Sequence, residues 1–232
     1  MQSVAAEMNT GGTAFLSGSG GELRLRFFTP AVEVELSGHT TLAAAHALWE
    51  EGLLPRNAPA RFRTKAGPLG AERRGKWIEL DFPSEPQQPT ECPAALEVAL
   101  GVRARYVGRN RFDYLVEVDS EEVLRQMRPD FSLLTTIPTR GVMVTSPSGA
   151  REYDFVSRFF APRAGLPEDQ VTGSAHCCLG PFWMERLGKK ELLAYQASRR
   201  GGSLRVRVEG ERVKLAGQAV TVLKGNLLIL AE

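Results

Sequence analysis

The chain has few of the residues that carry metal and redox chemistry: three cysteines and three histidines in 232 positions. Cys177 and Cys178 are adjacent and Cys92 stands far from them, so neither a disulfide framework nor a C-x-x-C pattern exists. Three histidines do not complete a typical zinc site, and neither a structural metal nor a redox centre is expected. Charge of one sign is scarce as well. Lysine and arginine (29) exceed aspartate and glutamate (27) by a net charge of +2, too little for the phosphate attraction that drives nucleic-acid binding. No apolar run approaches membrane-spanning length, and M-Q-S-V-A-A-E-M-N lacks the basic and apolar regions of a signal peptide. The expectation is a soluble, cytoplasmic protein with no nucleic-acid or membrane partner. What is present is apolar bulk: 43% hydrophobic against 24% charged residues supports a buried core and rules out disorder as the dominant state.

An internal repeat organises the chain. R-F-F-T-P (Arg26 to Pro30) returns 132 positions later as R-F-F-A-P (Arg158 to Pro162). A small-residue turn opening a helix follows each copy, S-G-H-T-T-L-A-A-A-H from Ser37 and T-G-S-A-H-C-C-L-G-P-F-W from Thr172. An aromatic-led strand comes next, at Phe62 and at Tyr195, then alternating segments from Trp77 and from Leu204, the latter a hairpin turning at Gly210. Four elements in one order imply two copies of one unit, so the fold class is α+β with two pseudo-symmetric domains. Both helices are small and apolar nearly all round, as enclosed helices are, and Pro181 is expected to kink or interrupt the second. The proline-rich stretch from Pro83 to Cys92 marks the boundary, giving domains at 1–84 and 85–232. The second copy is preceded by strand-like Tyr106 to Val118, a helix from Ser120 to about Met127 and a strand from Gly141; the first has only a helix (Ser3 to Met8) and a strand (Thr13 to Ser17). The first domain is therefore expected to lack its leading strands and to expose a sheet edge, which makes a homodimer plausible.

The two helix starts are the chemical focus, because a helix amino end presents unpaired N–H groups and partial positive charge to an anion. Gly38 and Gly173 permit close backbone approach there, Ser37 and Thr172 are in place to cap, and His39 and Ser174 project polar groups at the same point. Spacing alone reads equally as two ordinary caps around a glycine packing contact. Glu168 and Asp169, just before the second helix, can supply a proton carrier or merely compensate the helix dipole. His176, in the first turn, is expected near a ligand; His46 is expected to be a core histidine. Cys177 and Cys178 read as packing residues, and Trp49, Trp77 and Trp183 as core anchors.

E-D-Q-V-T-G-S-A-H (Glu168 to His176), S-G-H-T-T-L-A-A-A-H (Ser37 to His46), R-F-F-T-P and A-Y-Q-A-S-R-R-G-G (Ala194 to Gly202) together resemble the PhzF-like family of phenazine-biosynthesis-like proteins, over nearly the whole chain. The resemblance implies the diaminopimelate epimerase fold, two pseudo-symmetric domains, each a curled, mostly antiparallel sheet around a central helix, with the active site between them. It also implies a proton shift on a small carboxylated substrate, with no cofactor. By position, Asp169 is similar to the family's second-domain acid and His39 to its cleft histidine. Gly38, Thr40, Gly173, Ser174 and His176 match its substrate site. The family's first-domain acid sits in M-N-x-S-E-T-x-F; here M-N-T-G-G-T-A-F puts Gly12 at that position. The family's opening strand would lie before Met1, Gln170 stands where a proline is usual, a substitution of minor expected effect, and Ser37 stands where related epimerases carry a catalytic cysteine. Three expectations follow: a weakened isomerase using Asp169, with His39 orienting the substrate; a non-catalytic member that binds a ligand or partner; or a truncated chain whose stability suffers first.

Overall fold

The computed structural model describes residues 1–18 and 23–228. In chain order, the first half contains α1 (Gln2–Met8), β1 (Thr13–Ser17), β2 (Leu23–Phe28), β3 (Glu33–Val34), α2 (Gly38–Glu50), β4 (Ala60–Thr64), β5 (Gly67–Arg74) and β6 (Trp77–Pro83). The second half contains β7 (Gln88–Pro89), α3 (Ala94–Leu100), β8 (Tyr106–Arg109), β9 (Asp113–Glu117), α4 (Glu121–Gln126), α5 (Phe131–Leu134), β10 (Gly141–Pro147), β11 (Phe155–Phe160), α6 (Gly173–Leu187), β12 (Glu191–Gln196), β13 (Gly202–Glu209) and β14 (Arg212–Gly217).

The repeated peptides become repeated pairings. β2, carrying R-F-F, lies antiparallel to β1 and parallel to β4; β11 lies antiparallel to β10 and parallel to β12. A parallel neighbour needs a crossover connection, and α2 and α6 provide it in the two halves. Each run then closes with antiparallel strands, β4–β5–β6 and β12–β13–β14. The halves join where β6 and β14 pair antiparallel, Leu80 opposite Leu215, so one strand path runs from β1 through β6 and β14 to β7. Beyond β10 the path continues through β9, β8 and β7, whereas it ends at β1 in the first half.

Side-chain alternation sends β9, β10 and β11 into two cores. Leu115, Met143, Phe155 and Phe159 face α6 in a core shared with Leu25, Phe27, Leu48, Phe62 and Leu80 of the first half. Val116, Val144, Val156 and Phe160 face the other way, under Leu96 and Leu100 of α3, Leu124 of α4 and Leu134 of α5. This accounts for the unbroken burial of β10 from Gly141 to Ser146 and of β11 throughout, both of whose faces are covered. Trp183 is the largest enclosed side chain: its indole stacks on Phe155 at 5.6 Å and donates to Thr145 Oγ1 at 2.9 Å. Truncation of such a residue to alanine costs about 3–5 kcal/mol.

The two crossover helices differ in their surroundings. In α6 the buried set runs without a break from Ala175 to Gly180 and resumes at Phe182 and Trp183. In α2 only Thr40, Thr41, Ala45, Leu48 and Trp49 are buried, and Ala43, Ala47 and Glu50 are exposed, so this helix is half enclosed. Among the described residues its sheet ends at β1. Residues 218–228 run outside any strand and touch that helix, Thr221 with His46 and Glu50, and Lys224 with Glu51. His46 is accordingly no core residue; its Nε2 lies 2.7 Å from Glu50 on a partly exposed face.

Pro181 does not interrupt α6. It has no N–H for the carbonyl of Cys177, and Glu85 N–H donates to that oxygen instead, at 3.0 Å. The proline-rich stretch that contains Glu85 is therefore bound to the helix rather than loose.

Candidate active site

The amino ends of α2 and α6 meet. A β-carbon placed on Gly38 would touch the α-carbon of Gly173 at 3.6 Å, and one placed on Gly173 would touch Gly38 equally closely. A β-carbon at either position would thus sit in ordinary van der Waals contact with the other backbone. Ser37 and Thr172 occupy the N-cap positions, yet neither side chain caps its helix. The first-turn N–H groups thus receive no side-chain acceptor from the cap residues.

The Thr172 hydroxyl is used elsewhere. It donates to Asp169 Oδ2 at 2.6 Å, while the Gln170 N–H donates to Oδ1 at 2.8 Å. A proline at position 170 could not make the second of these bonds. The whole segment is held by Gln196, which is fully buried: its amide oxygen accepts from Thr172 N–H at 2.8 Å, and its nitrogen donates to Asp169 O at 2.9 Å and Thr172 Oγ1 at 3.2 Å. Sequence reasoning quoted Gln196 only as part of a motif. Its neighbours in space, 24 to 27 positions away, gave no local signal. Glu168 is committed to structure through a bidentate pair with Arg158 at 2.7 and 3.0 Å; that arginine also donates to the carbonyls of Leu124 and Met127 at the end of α4. Of the two adjacent acids, Asp169 is the one left beside the helix starts, 7% exposed.

His39 makes no hydrogen bond or ion pair among the described residues. Burial pushes its pKa below the ordinary histidine value; the charge of Asp169 opposes that shift and the charge of Arg200 adds to it. Its imidazole also fills the space beside Gly12, where a β-carbon would meet His39 Nε2 at 2.9 Å and Thr40 Cγ2 at 2.7 Å. The Thr40 hydroxyl points back to the carbonyl of Ser37 at 3.3 Å. Ser174 Oγ accepts from Arg140 Nη2 at 3.3 Å, a neighbour the sequence did not reveal.

The expectation that His176 lies near a ligand is corrected. The residue is fully buried, stacked on Phe155, with Nδ1 at 2.8 Å from Thr172 O and Nε2 at 3.5 Å from Ser157 Oγ. Burial lowers its pKa to about 4, so the ring is neutral core. Burial likewise pushes the thiols of Cys177 and Cys178 up, away from thiolate formation. Among the described residues, no three histidine, cysteine or carboxylate side chains gather as metal ligands do, and no helix is long and apolar enough to cross a membrane. A groove of 780 Å³ lined by Arg61, Glu72, Asp81 and Lys214 lies over β4, β5, β6 and β14, and no residue of the two helix starts lines it. The meeting of Gly38 and Gly173, with Asp169 and His39 beside it, can hold an anion and move a proton.

Known proteins share this fold. The family model described as phenazine biosynthesis-like protein matches residues 1–225. An uncharacterised isomerase of Halalkalibacterium halodurans is 56% identical over 99% of this chain and 87% of its own. The human phenazine biosynthesis-like domain-containing protein is 35% identical over 97% of this chain and 87% of its own. The crystal structure of a PhzF-family protein of Enterococcus faecalis superposes with a TM-score of 0.93 at 36% identity, covering 98% of this chain and 86% of that one. A probable proline racemase from Agrobacterium radiobacter, at TM-score 0.59 and 11% identity over 89% of this chain and 73% of that one, shares the fold alone. The chain thus belongs to the PhzC-PhzF family of phenazine biosynthesis-like proteins, whose relatives include named isomerases.

Proposed function

We propose that the chain is an isomerase that shifts a proton on a small carboxylate without a cofactor, at a rate reduced by Gly12. The Asp169 carboxylate takes a proton from carbon: the C–H bond breaks, an O–H bond forms on Asp169, and the electron pair moves into the substrate's π system. Asp169 then returns the proton to a second carbon and is regenerated, so no atom or electron is gained or lost. His39, held neutral, orients the substrate by donating a hydrogen bond, and the facing helix starts hold its carboxylate.

The observation that supports this reading best is the arrangement of Asp169 itself. Its carboxylate is enclosed, fixed by Thr172 and Gln170, and its charge is felt at His39 across the helix starts. Gly12 favours the second reading, a binding protein that keeps the cleft without the chemistry, because a missing general acid or base reduces rate by about a hundred- to ten-thousand-fold. Deuterium incorporation from heavy water into small 2-hydroxy and 2,3-unsaturated acids tests both. The isomerase reading expects incorporation with the unmodified chain and its loss in Asp169→Asn. Equal incorporation by the two proteins removes Asp169 from the mechanism, and none by the unmodified chain leaves the binding reading.

A further inference from the structure

Arg140 sits immediately before β10, and the strand registers define its place in the repeat. Thr13 of β1 lies opposite Phe28 and Val142 of β10 opposite Phe160, the closing phenylalanines of the two R-F-F peptides. Gly141 therefore matches Gly12, and Arg140 is the residue beside it. Ser174 is the second residue of α6 as His39 is of α2. A β-carbon on Gly12 would meet His39 Nε2 at 2.9 Å; in the second half Arg140 makes the matching contact, its Nη2 donating to Ser174 Oγ at 3.3 Å. Equivalent segments thus lie against equivalent helix starts, and the second half puts a cation there.

Two contacts tie this guanidinium to Asp169. Its centre lies 6.0 Å from that of the Phe159 ring, and the Phe159 carbonyl accepts from Asp169 N–H at 3.0 Å. Ser174 follows closely on Thr172, whose hydroxyl holds Asp169 Oδ2. The side chain is set before any ligand arrives: Nε donates to Asp113 Oδ1 at 2.8 Å and Nη2 to Oδ2, that carboxylate is fully buried, and the Phe112 ring centre lies at 4.7 Å. Nη1 takes part in no hydrogen bond among the described residues, and the side chain is 40% exposed. Ser174 Oγ accepts from Nη2, and its own hydrogen meets no acceptor among the described residues. Two donors flanking Nη2, one on Nη1 and one on the Ser174 hydroxyl, are therefore open beside a helix amino end. A single carboxylate can accept from both, and an anchored fork loses little rotamer freedom on binding it.

We propose that Arg140 is the specificity residue of the site: together with the Ser174 hydroxyl it binds the substrate's carboxylate, and it selects an ionised acid over a neutral molecule of the same shape. This rests on the reading of the helix starts as the substrate seat, and it adds the side chain that recognises the charge. Asp113 acts through Arg140 as a positioning residue.

Titration of the full chain, followed by amide NMR, with crotonate and with its neutral counterpart crotonamide tests it. Crotonate is expected to bind about tenfold or more tightly, a margin of the order a charge-assisted pair provides. Arg140→Gln alone would strand the buried Asp113, so the charge is removed in the double variant Asp113→Asn with Arg140→Gln, which should erase the margin. Arg140→Lys, which keeps the charge and loses the fork, should weaken crotonate about fivefold or more and leave crotonamide unchanged. Asp113→Asn, which frees the fork, should likewise weaken crotonate alone, a split that a purely structural role would not give. Equal affinity for acid and amide, no crotonate binding at millimolar concentration, or an unchanged margin in either Arg140 variant overturns the proposal; equal weakening of both ligands by Asp113→Asn removes its positioning role. Deuterium exchange separates this from the isomerase reading. A margin that depends on Arg140 in a protein without exchange leaves the recognition standing and the isomerase reading refuted. Exchange in the unmodified protein with a margin indifferent to Arg140 does the reverse.

Discussion

His39 Nε2 lies 2.9 Å from the point where a side chain on Gly12 would begin. The imidazole has taken up the space next to a position that carries an acid in the family pattern, and Thr40 Cγ2 crowds the same point at 2.7 Å. Position 12 is thus packed, although it bears no side chain.

Gly12→Ala should therefore destabilise the protein by about 1–3 kcal/mol, the usual range for overpacking, since Thr40 and His39 must yield. Urea unfolding measures it, and unchanged stability would show that both neighbours move freely. Gly12→Glu should carry the same penalty and still raise deuterium exchange about a hundredfold or more, because it returns a general acid or base to the cleft. A folded Gly12→Glu protein with no gain in exchange contradicts the assignment of that position.

The enclosed His176 sets a pH limit on stability. Its folded-state pKa is depressed to about 4 from 6.5, so the unfolded chain binds the proton more readily. Stability on this account is complete above pH 6.5, falls as pH drops from there toward the folded value of about 4, and levels off below it. By linkage the loss amounts to about 3 kcal/mol between those limits. Denaturant unfolding at a series of pH values should show this slope, and His176→Gln should flatten it; an identical slope in the variant assigns the acid sensitivity to other groups.

Gln196 holds the Asp169 segment through three hydrogen bonds. Gln196→Met conserves volume and removes all three, which leaves Thr172 N–H and Asp169 O buried without a partner. Each such group costs about 1–3 kcal/mol. Thermal unfolding should register the loss. A variant as stable as the parent would mean that the segment does not depend on this amide.

Much of this was legible in the residues themselves. The two R-F-F peptides announced β2 and β11, and the small apolar runs after Gly38 and Gly173 announced α2 and α6, because those patterns are local. The pairing of β6 with β14 was not legible, since strands whose partners Leu80 and Leu215 lie 135 positions apart leave no mark on each other's sequence. The first-turn position misled for His176: its ring points into the core, where Ser157 and Thr172 satisfy it. Pro181 misled because the N–H that completes its helix comes from Glu85, a distant partner. Arg140 escaped notice for the same reason, as Asp113 and Ser174 lie 27 and 34 positions away.

The seat itself can be observed through backbone amides. With ¹⁵N-labelled protein, titration with succinate should shift the amide resonances of Gly38, His39, Gly173 and Ser174 together, along one saturable curve, with the Asp169 and Gln170 amides following. Shifts confined to other surfaces, or helix starts that stay silent at saturation, would contradict the claim that the two amino ends and Asp169 form a single site.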